Sequence, residues 1–125
     1  MNQPNENILV VEDDDGIRET MKIFLEIQGY SVTTATDGYR GLKALSNPPQ
    51  PSLILVDLMM PGMNGWEFIE TIKKTEHANT PVVVLTAYPD TEDCPKCDGL
   101  IAKPINLKTL LKTVQALLHQ SADPT

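Results

Sequence analysis

Two kinds of hydrophobic pattern alternate along the chain. Ile8-Leu9-Val10-Val11, Leu53-Ile54-Leu55-Val56, Val82-Val83-Val84-Leu85 and Leu100-Ile101-Ala102 are unbroken apolar runs. Short runs rich in β-branched residues predict strands covered on both faces of a parallel sheet. Ser31 to Ala35 is more polar and predicts a strand at a sheet edge. The stretches between follow helical spacing. Ile17, Met21, Phe24, Leu25 and Gln28 mark one face of a first helix, which Gly29 is placed to end. Asp37 is positioned to cap a second helix that runs through Leu45. Asn47-Pro48-Pro49-Gln50-Pro51 breaks the chain. A third helix has Trp66, Ile69 and Ile72 as its inward set, with Phe68 as a further packing residue. Asn106 caps a last helix carrying Leu107, Leu110, Leu111, Val114, Leu117 and Leu118 on one face.

This is a strand followed by a helix, repeated five times. Right-handed crossovers make it an α/β fold, a five-stranded parallel sheet with helices on both faces. The expected strand order is 2-1-3-4-5, the flavodoxin-like doubly wound arrangement, with the ligand site at the edge formed by the carboxyl ends of the strands. Residues 1–125 read as a single domain with a core from about 8 to 118 and frayed tails at both ends.

The residues at the end of each run are then the main clue. The first run leads into Glu12-Asp13, the third strand into Asp57, the fourth into Thr86 and the fifth into Lys103-Pro104. A parallel sheet gathers these groups at one edge. Carboxylates held about 4 Å apart repel by roughly 4 kcal/mol per pair at an effective dielectric of ~20. A cation relieves that cost, and all-oxygen ligation suits Mg²⁺, which keeps several waters. The alternative is a structural ion pair, with Lys103 alone neutralising the cluster. Asp57 is the candidate nucleophile, because a carboxylate can attack phosphorus to form an acyl phosphate. Thr86 and Lys103 are suited to bind phosphoryl oxygens. Such transfer depends on positioning and charge stabilisation more than on acid–base groups.

Lys and Arg number 10 against 17 Asp and Glu, a formal net charge of -7. That balance disfavours direct nucleic-acid binding, since a phosphate backbone would be repelled. No apolar stretch approaches the ~20 residues a membrane span needs, and no leader pattern precedes the first strand, so no membrane insertion and a cytoplasmic location are expected.

Val10-Val11-Glu12-Asp13-Asp14, Leu55-Val56-Asp57-Leu58-Met59-Met60-Pro61-Gly62-Met63-Asn64-Gly65, Leu85-Thr86-Ala87 and Ala102-Lys103-Pro104 together resemble the receiver domain of bacterial two-component response regulators. The resemblance runs from Ile8 to about Leu118. It implies that Asp57 accepts a phosphoryl group from a phosphohistidine on a histidine kinase or histidine phosphotransfer protein. It implies a Mg²⁺ site made by Asp13, Asp57, the backbone carbonyl of Met59 and, through a bound water, Glu12. Thr86 is implied as the switch hydroxyl and Lys103 as the cation paired with the phosphoryl group, with Lys103–Pro104 a cis peptide. The implied output is altered affinity for a downstream protein partner, and the implied class is a signalling switch rather than a turnover enzyme.

The sequence departs from the family pattern in two places. An aromatic residue is usual three positions before the lysine, and here that position is Leu100. The stretch from Thr86 to Gly99 is short for a parallel crossover and contains Pro89 and Pro95, so the fourth helix, between strands four and five, is expected to be shortened or absent. The same stretch holds Cys94 and Cys97, which read as inert thiols, a reversible disulfide or part of a zinc site with His77, His119 being expected on the opposite sheet face. A second reading of the chain is therefore a receiver-like binding module with an atypical helix-four face, modulated at Cys94 and Cys97. A phosphohydrolase of the haloacid-dehalogenase type would need a second aspartate where Met59 stands. Tyr88 is placed at the site entrance or in an exposed loop, and Met59, Met60 and Met63 are expected to be at least partly exposed.

Overall fold

The computed structural model describes residues 6–87 and 97–119 of the 125. The elements in chain order are β1 (Asn7–Val11), α1 (Asp15–Ile27), β2 (Ser31–Ala35), α2 (Gly38–Leu45), β3 (Leu53–Asp57), α3 (Gly65–Ile72), β4 (Val82–Thr86), β5 (Gly99–Ala102) and α4 (Leu107–His119). The strands pair in parallel in the order β2-β1-β3-β4-β5, as expected.

Strand alternation sorts the apolar runs into two cores. Leu9, Val11, Ile54, Val56, Val82 and Val84 point to one face, where α2 and α3 add Leu45, Phe68, Ile69 and Ile72. Ile8, Val10, Leu53, Leu55, Val83 and Leu85 point to the other, where α1 and α4 add Met21, Leu25, Leu110 and Val114. Every residue of β1, β3 and β4 is buried, which explains why these strands read as continuous apolar runs. Each fully buried Leu, Ile or Phe contributes about 1.5–3 kcal/mol by leaving water.

Helix starts follow the expected capping chemistry. Asp14, Asp37, Asn64 and Asn106 each accept a backbone N–H three residues ahead. Asn64 and Glu67 form a reciprocal capping box. Gly29, just past α1, has φ 102, a left-handed conformation that favours glycine at a helix end.

Several expectations need correction. Phe68, not Trp66, is the deepest side chain of α3: it is fully buried, whereas Trp66 is half-buried. Gly41 of α2 makes room for it, since a Cβ there would lie 2.9 Å from the Phe68 ring. Gln28 is exposed as the C-cap of α1 rather than part of its inward face. Met60 is buried, although Met59 is exposed and Met63 half-buried. In β5, the edge strand next to β4, only Ile101 is buried, on the face where Leu110 and Val114 of α4 pack. Leu100 is 37% exposed, so the leucine in the usual aromatic position lies at the surface.

The expected shortened fourth helix falls mainly on residues 88–96, outside the described residues, as do Cys94 and Tyr88. Among the described residues of that crossover, Ala87, Cys97 and Asp98 are not helical. Among the described residues no helix is long and apolar enough to cross a membrane.

Candidate functional site at the carboxyl edge of the sheet

Register decides what meets at this edge. Val11 lies opposite Val56, Asp57 opposite Leu85, and Thr86 opposite Ala102. The three strand pairs therefore end nearly level, and Glu12, Asp13, Asp57, Thr86 and Lys103 emerge together. The Lys103 N–H donates to the Thr86 carbonyl at 2.8 Å, which ties the end of β5 to the end of β4.

Glu12, Asp13 and Asp57 each offer a carboxylate oxygen within 4.8 Å of the others. Glu12 and Asp57 are buried and Asp13 is exposed. Lys103 reaches between the two buried acids, with Nζ 3.0 Å from Glu12 Oε1 and 3.1 Å from Asp57 Oδ2. Both contacts are ion pairs to buried carboxylate oxygens. The remaining oxygens are engaged by backbone. The Asp14 N–H donates to Glu12 Oε2 at 3.1 Å, and the Met59 N–H donates to Asp57 Oδ1 at 3.2 Å. The Asp57 carboxylate is thus held at both oxygens while one side of it faces the cleft.

The electrostatics show an excess of acid. Burial pushes the Glu12 carboxyl up to about 7, reinforced by the Asp57 charge and only partly offset by the Asp14 N–H and Lys103. Burial alone would lower the Lys103 ammonium, but Glu12 and Asp57 together hold it above its ordinary value. The lysine therefore stays charged, and metal-free Glu12 readily takes a proton.

An open cleft of about 390 Å³ lies over these groups, lined by Glu12, Asp13, Asp57, Met59, Ala87 and Lys103. A smaller hollow of about 160 Å³ lies beside the break at Pro48 and Pro49, but no titratable side chain lines it. The clustered acids and Lys103 line the cleft at the carboxyl edge.

Each described site residue expected from the sequence is found there. Thr86 is buried at the end of β4. Lys103–Pro104 is cis, as the resemblance implies. Pro48–Pro49 is also cis, which no sequence feature had indicated. Cys97 is half-buried, and its thiol donates to the Gly99 carbonyl at 3.1 Å. Among the described residues neither Cys97 nor His77 belongs to a cluster of three metal-ligating groups. The pairing with Cys94 lies outside the described residues, and so does the side chain of His119.

Sequence reasoning missed three supports. Asp14 caps α1 with its side chain while its N–H holds Glu12. Arg18 donates to the Glu12 backbone oxygen at 3.0 Å and to the Asp15 carboxylate. Gly65 lets the start of α3 lie against the end of β3: a Cβ there would sit 2.7 Å from the Asp57 carbonyl oxygen. The glycine and the Asp15/Arg18 spacing are visible in sequence, but the close approach and the long contacts are not.

The sequence model of the response regulator receiver domain matches residues 8–115. The uncharacterized transcriptional regulatory protein YkoG of Bacillus subtilis is 36% identical over 95% of this chain, which spans 54% of that relative. More generally, the chain spans about half the length of most of the curated relatives it matches. The chemotaxis response regulator CheY4 of Vibrio cholerae superposes with a TM-score of 0.80 at 31% identity, covering 91% of this chain and 99% of that one. The receiver domain of the Pseudomonas aeruginosa sensor histidine kinase PA1611, solved with a magnesium ion coordinated in its active site cleft, superposes with a TM-score of 0.84 at 25% identity, covering 92% of this chain and 98% of that one. Fold, acidic cleft and sequence agree, and the chain belongs to the response regulator receiver domain family, the phosphoacceptor modules of two-component signalling.

Proposed function

We propose that this chain is a Mg²⁺-dependent phosphoacceptor switch in which Asp57 takes a phosphoryl group from a phosphohistidine on a histidine kinase or histidine phosphotransfer protein. The observation that carries the reading is the convergence of Asp13, Glu12 and Asp57 oxygens within 4.8 Å beside the Lys103 ammonium. A carboxylate oxygen of Asp57 attacks phosphorus. A P–O bond forms as the P–N bond to the donor imidazole breaks, and the leaving nitrogen keeps the electron pair and takes a proton from solvent.

The donor set fits Mg²⁺. It is all oxygen, and two oxygens bound directly at ~2.1 Å lie no more than about 4.2 Å apart. The Glu12, Asp13 and Asp57 oxygens lie within 4.8 Å of one another; by the family resemblance Asp13, Asp57 and the Met59 carbonyl would hold the ion directly, with Glu12 acting through water. When bound, Mg²⁺ supplies charge neutralisation between the attacking carboxylate and the incoming phosphoryl oxygens. The chain's own residues do the rest. The Met59 N–H orients the Asp57 carboxylate, Lys103 provides a point charge for one phosphoryl oxygen, and the Thr86 hydroxyl donates to another. Once Asp57 carries the phosphoryl group, Lys103 and Thr86 follow the new charge. The loops after β4 and β5 then shift population toward a form that a protein partner prefers.

On this reading residues 1–125 act as one receiver unit in the cytoplasm, without catalytic turnover of small substrates. The net charge of -7 favours a partner with a basic face over direct contact with nucleic acid. Incubation with Mg²⁺ and a small phosphodonor, read by intact mass, tests the proposal. Wild type gains one acid-stable, base-labile phosphoryl group and Asp57→Asn gains none. Equal uptake by the Asn variant would move the acceptor elsewhere.

A further inference from the structure

Arg18 takes no part in the chemistry above, yet it is bonded to the strand end that supplies two of the three acids. Its side chain is only 17% exposed. Nη1 donates to the Glu12 backbone oxygen at 3.0 Å and Nη2 to the Asp15 carboxylate in the first turn of α1. The guanidinium fork therefore clips the end of β1 to the start of α1.

The position of that bond matters because of what Asp13 lacks. Among the described residues no hydrogen bond or ion pair holds the Asp13 carboxylate. Glu12, in contrast, is fixed by its N–H to the Ala35 carbonyl at 3.0 Å, by the Asp14 N–H at 3.1 Å and by Lys103. The direction of Asp13 is set by its backbone, and the peptide plane leading into it is the one whose oxygen Arg18 holds. A peptide is planar, so fixing its oxygen restricts rotation about both flanking bonds.

We propose that Arg18 is a positioning residue for the magnesium pocket: by holding the Glu12–Asp13 peptide it sets where the Asp13 carboxylate points. The inference rests on the reading of the pocket given above. It also opposes what charge alone predicts. Removing a cation beside an acidic pocket makes the pocket more negative, which would tighten Mg²⁺ binding. Loss of positioning weakens it, typically by about 10- to 100-fold when a residue supporting a metal ligand is removed.

Isothermal titration of the full chain with MgCl₂ at low salt, on wild type, Arg18→Met and Arg18→Lys, separates the two. Met keeps the aliphatic stem and removes the fork; Lys keeps the charge but makes only one of the two bonds. The expected result is a loss of about tenfold or more for Arg18→Met, with Arg18→Lys between it and wild type. Circular dichroism of the metal-free proteins establishes that the variants are folded. Affinity equal to or tighter than wild type in folded Arg18→Met overturns the proposal. Should that variant not fold, Arg18→Gln takes its place: it also removes the charge and the fork, and affinity equal to or tighter than wild type in it overturns the proposal. If wild type itself takes up no Mg²⁺, the reading of the pocket falls and the inference with it.

Discussion

The Lys103 ammonium leaves the end of β5, passes the end of β4 and stops 3.1 Å from Asp57 Oδ2, at the last residue of β3. The same nitrogen lies 3.0 Å from Glu12 Oε1, just past β1. One side chain thereby neutralises acids from two strands, and its loss leaves both buried. Removing one partner of a buried pair commonly costs about 3–5 kcal/mol. The 18% exposure of Lys103 and the ease of protonating Glu12 place Lys103→Met at the low end, about 3 kcal/mol in metal-free protein at pH 8. Chemical denaturation measures it, and added Mg²⁺ should recover most of the loss.

The raised Glu12 carboxyl gives metal-free protein a defined pH response. Its value in the folded state is about 7 against 4.5 for an ordinary glutamate. Between these values the folded state binds more protons than the unfolded state, so stability falls as pH rises. The Glu12 contribution is fully present below about 4.5 and is lost by the time pH has passed about 7. Urea midpoints at pH 5 and pH 8 without divalent cations should differ more in wild type than in Glu12→Gln. Equal pH slopes in the two proteins would refute the assignment to Glu12.

Gly65 is a steric requirement of the site. A Cβ there would lie 2.7 Å from both the Asp57 carbonyl oxygen and the Leu58 Cα, and neither backbone atom can move alone. Gly65→Ala should cost about 2–3 kcal/mol through overpacking and slow phosphoryl uptake at Asp57. Denaturation and the intact-mass time course test the two effects separately.

The packing of α3 yields a contrast between two aromatic residues. Phe68 is fully buried against Gly41 and Val11, whereas Trp66 is half-buried. Phe68→Ala should cost about 3–5 kcal/mol, and Trp66→Phe less than about 1.5 kcal/mol. A larger loss for Trp66→Phe would contradict the observed orientation of the helix.

The strands were legible because burial on both faces writes itself as an uninterrupted apolar run, as in Val82-Val83-Val84-Leu85. The candidate site was legible for a related reason: parallel strands put their carboxyl ends on one edge, so the residue after each run reports on that edge. Asp37 and Asn106 were readable as caps because a helix start needs a local acceptor. Where patterns are local, chain order carried the information.

What chain order could not determine was set by contacts between distant segments. Helical spacing put Trp66 in the inward set of α3 ahead of Phe68, whereas the space beside Gly41 of α2 makes Phe68 the deeper one. An apolar run marks Leu100-Ile101-Ala102 as a strand but does not reveal that Ile101 faces α4 while Leu100, on the other face, is exposed. Met60 looked like a loop residue until packing on Ile69's side of the sheet buried it. The Lys103 bridge, the 2.7 Å approach at Gly65 and the hold of Arg18 on Glu12 depend on distances of a few ångströms between elements. Residue types determine which interactions are possible, and the folded packing of one sheet edge selects which of them form.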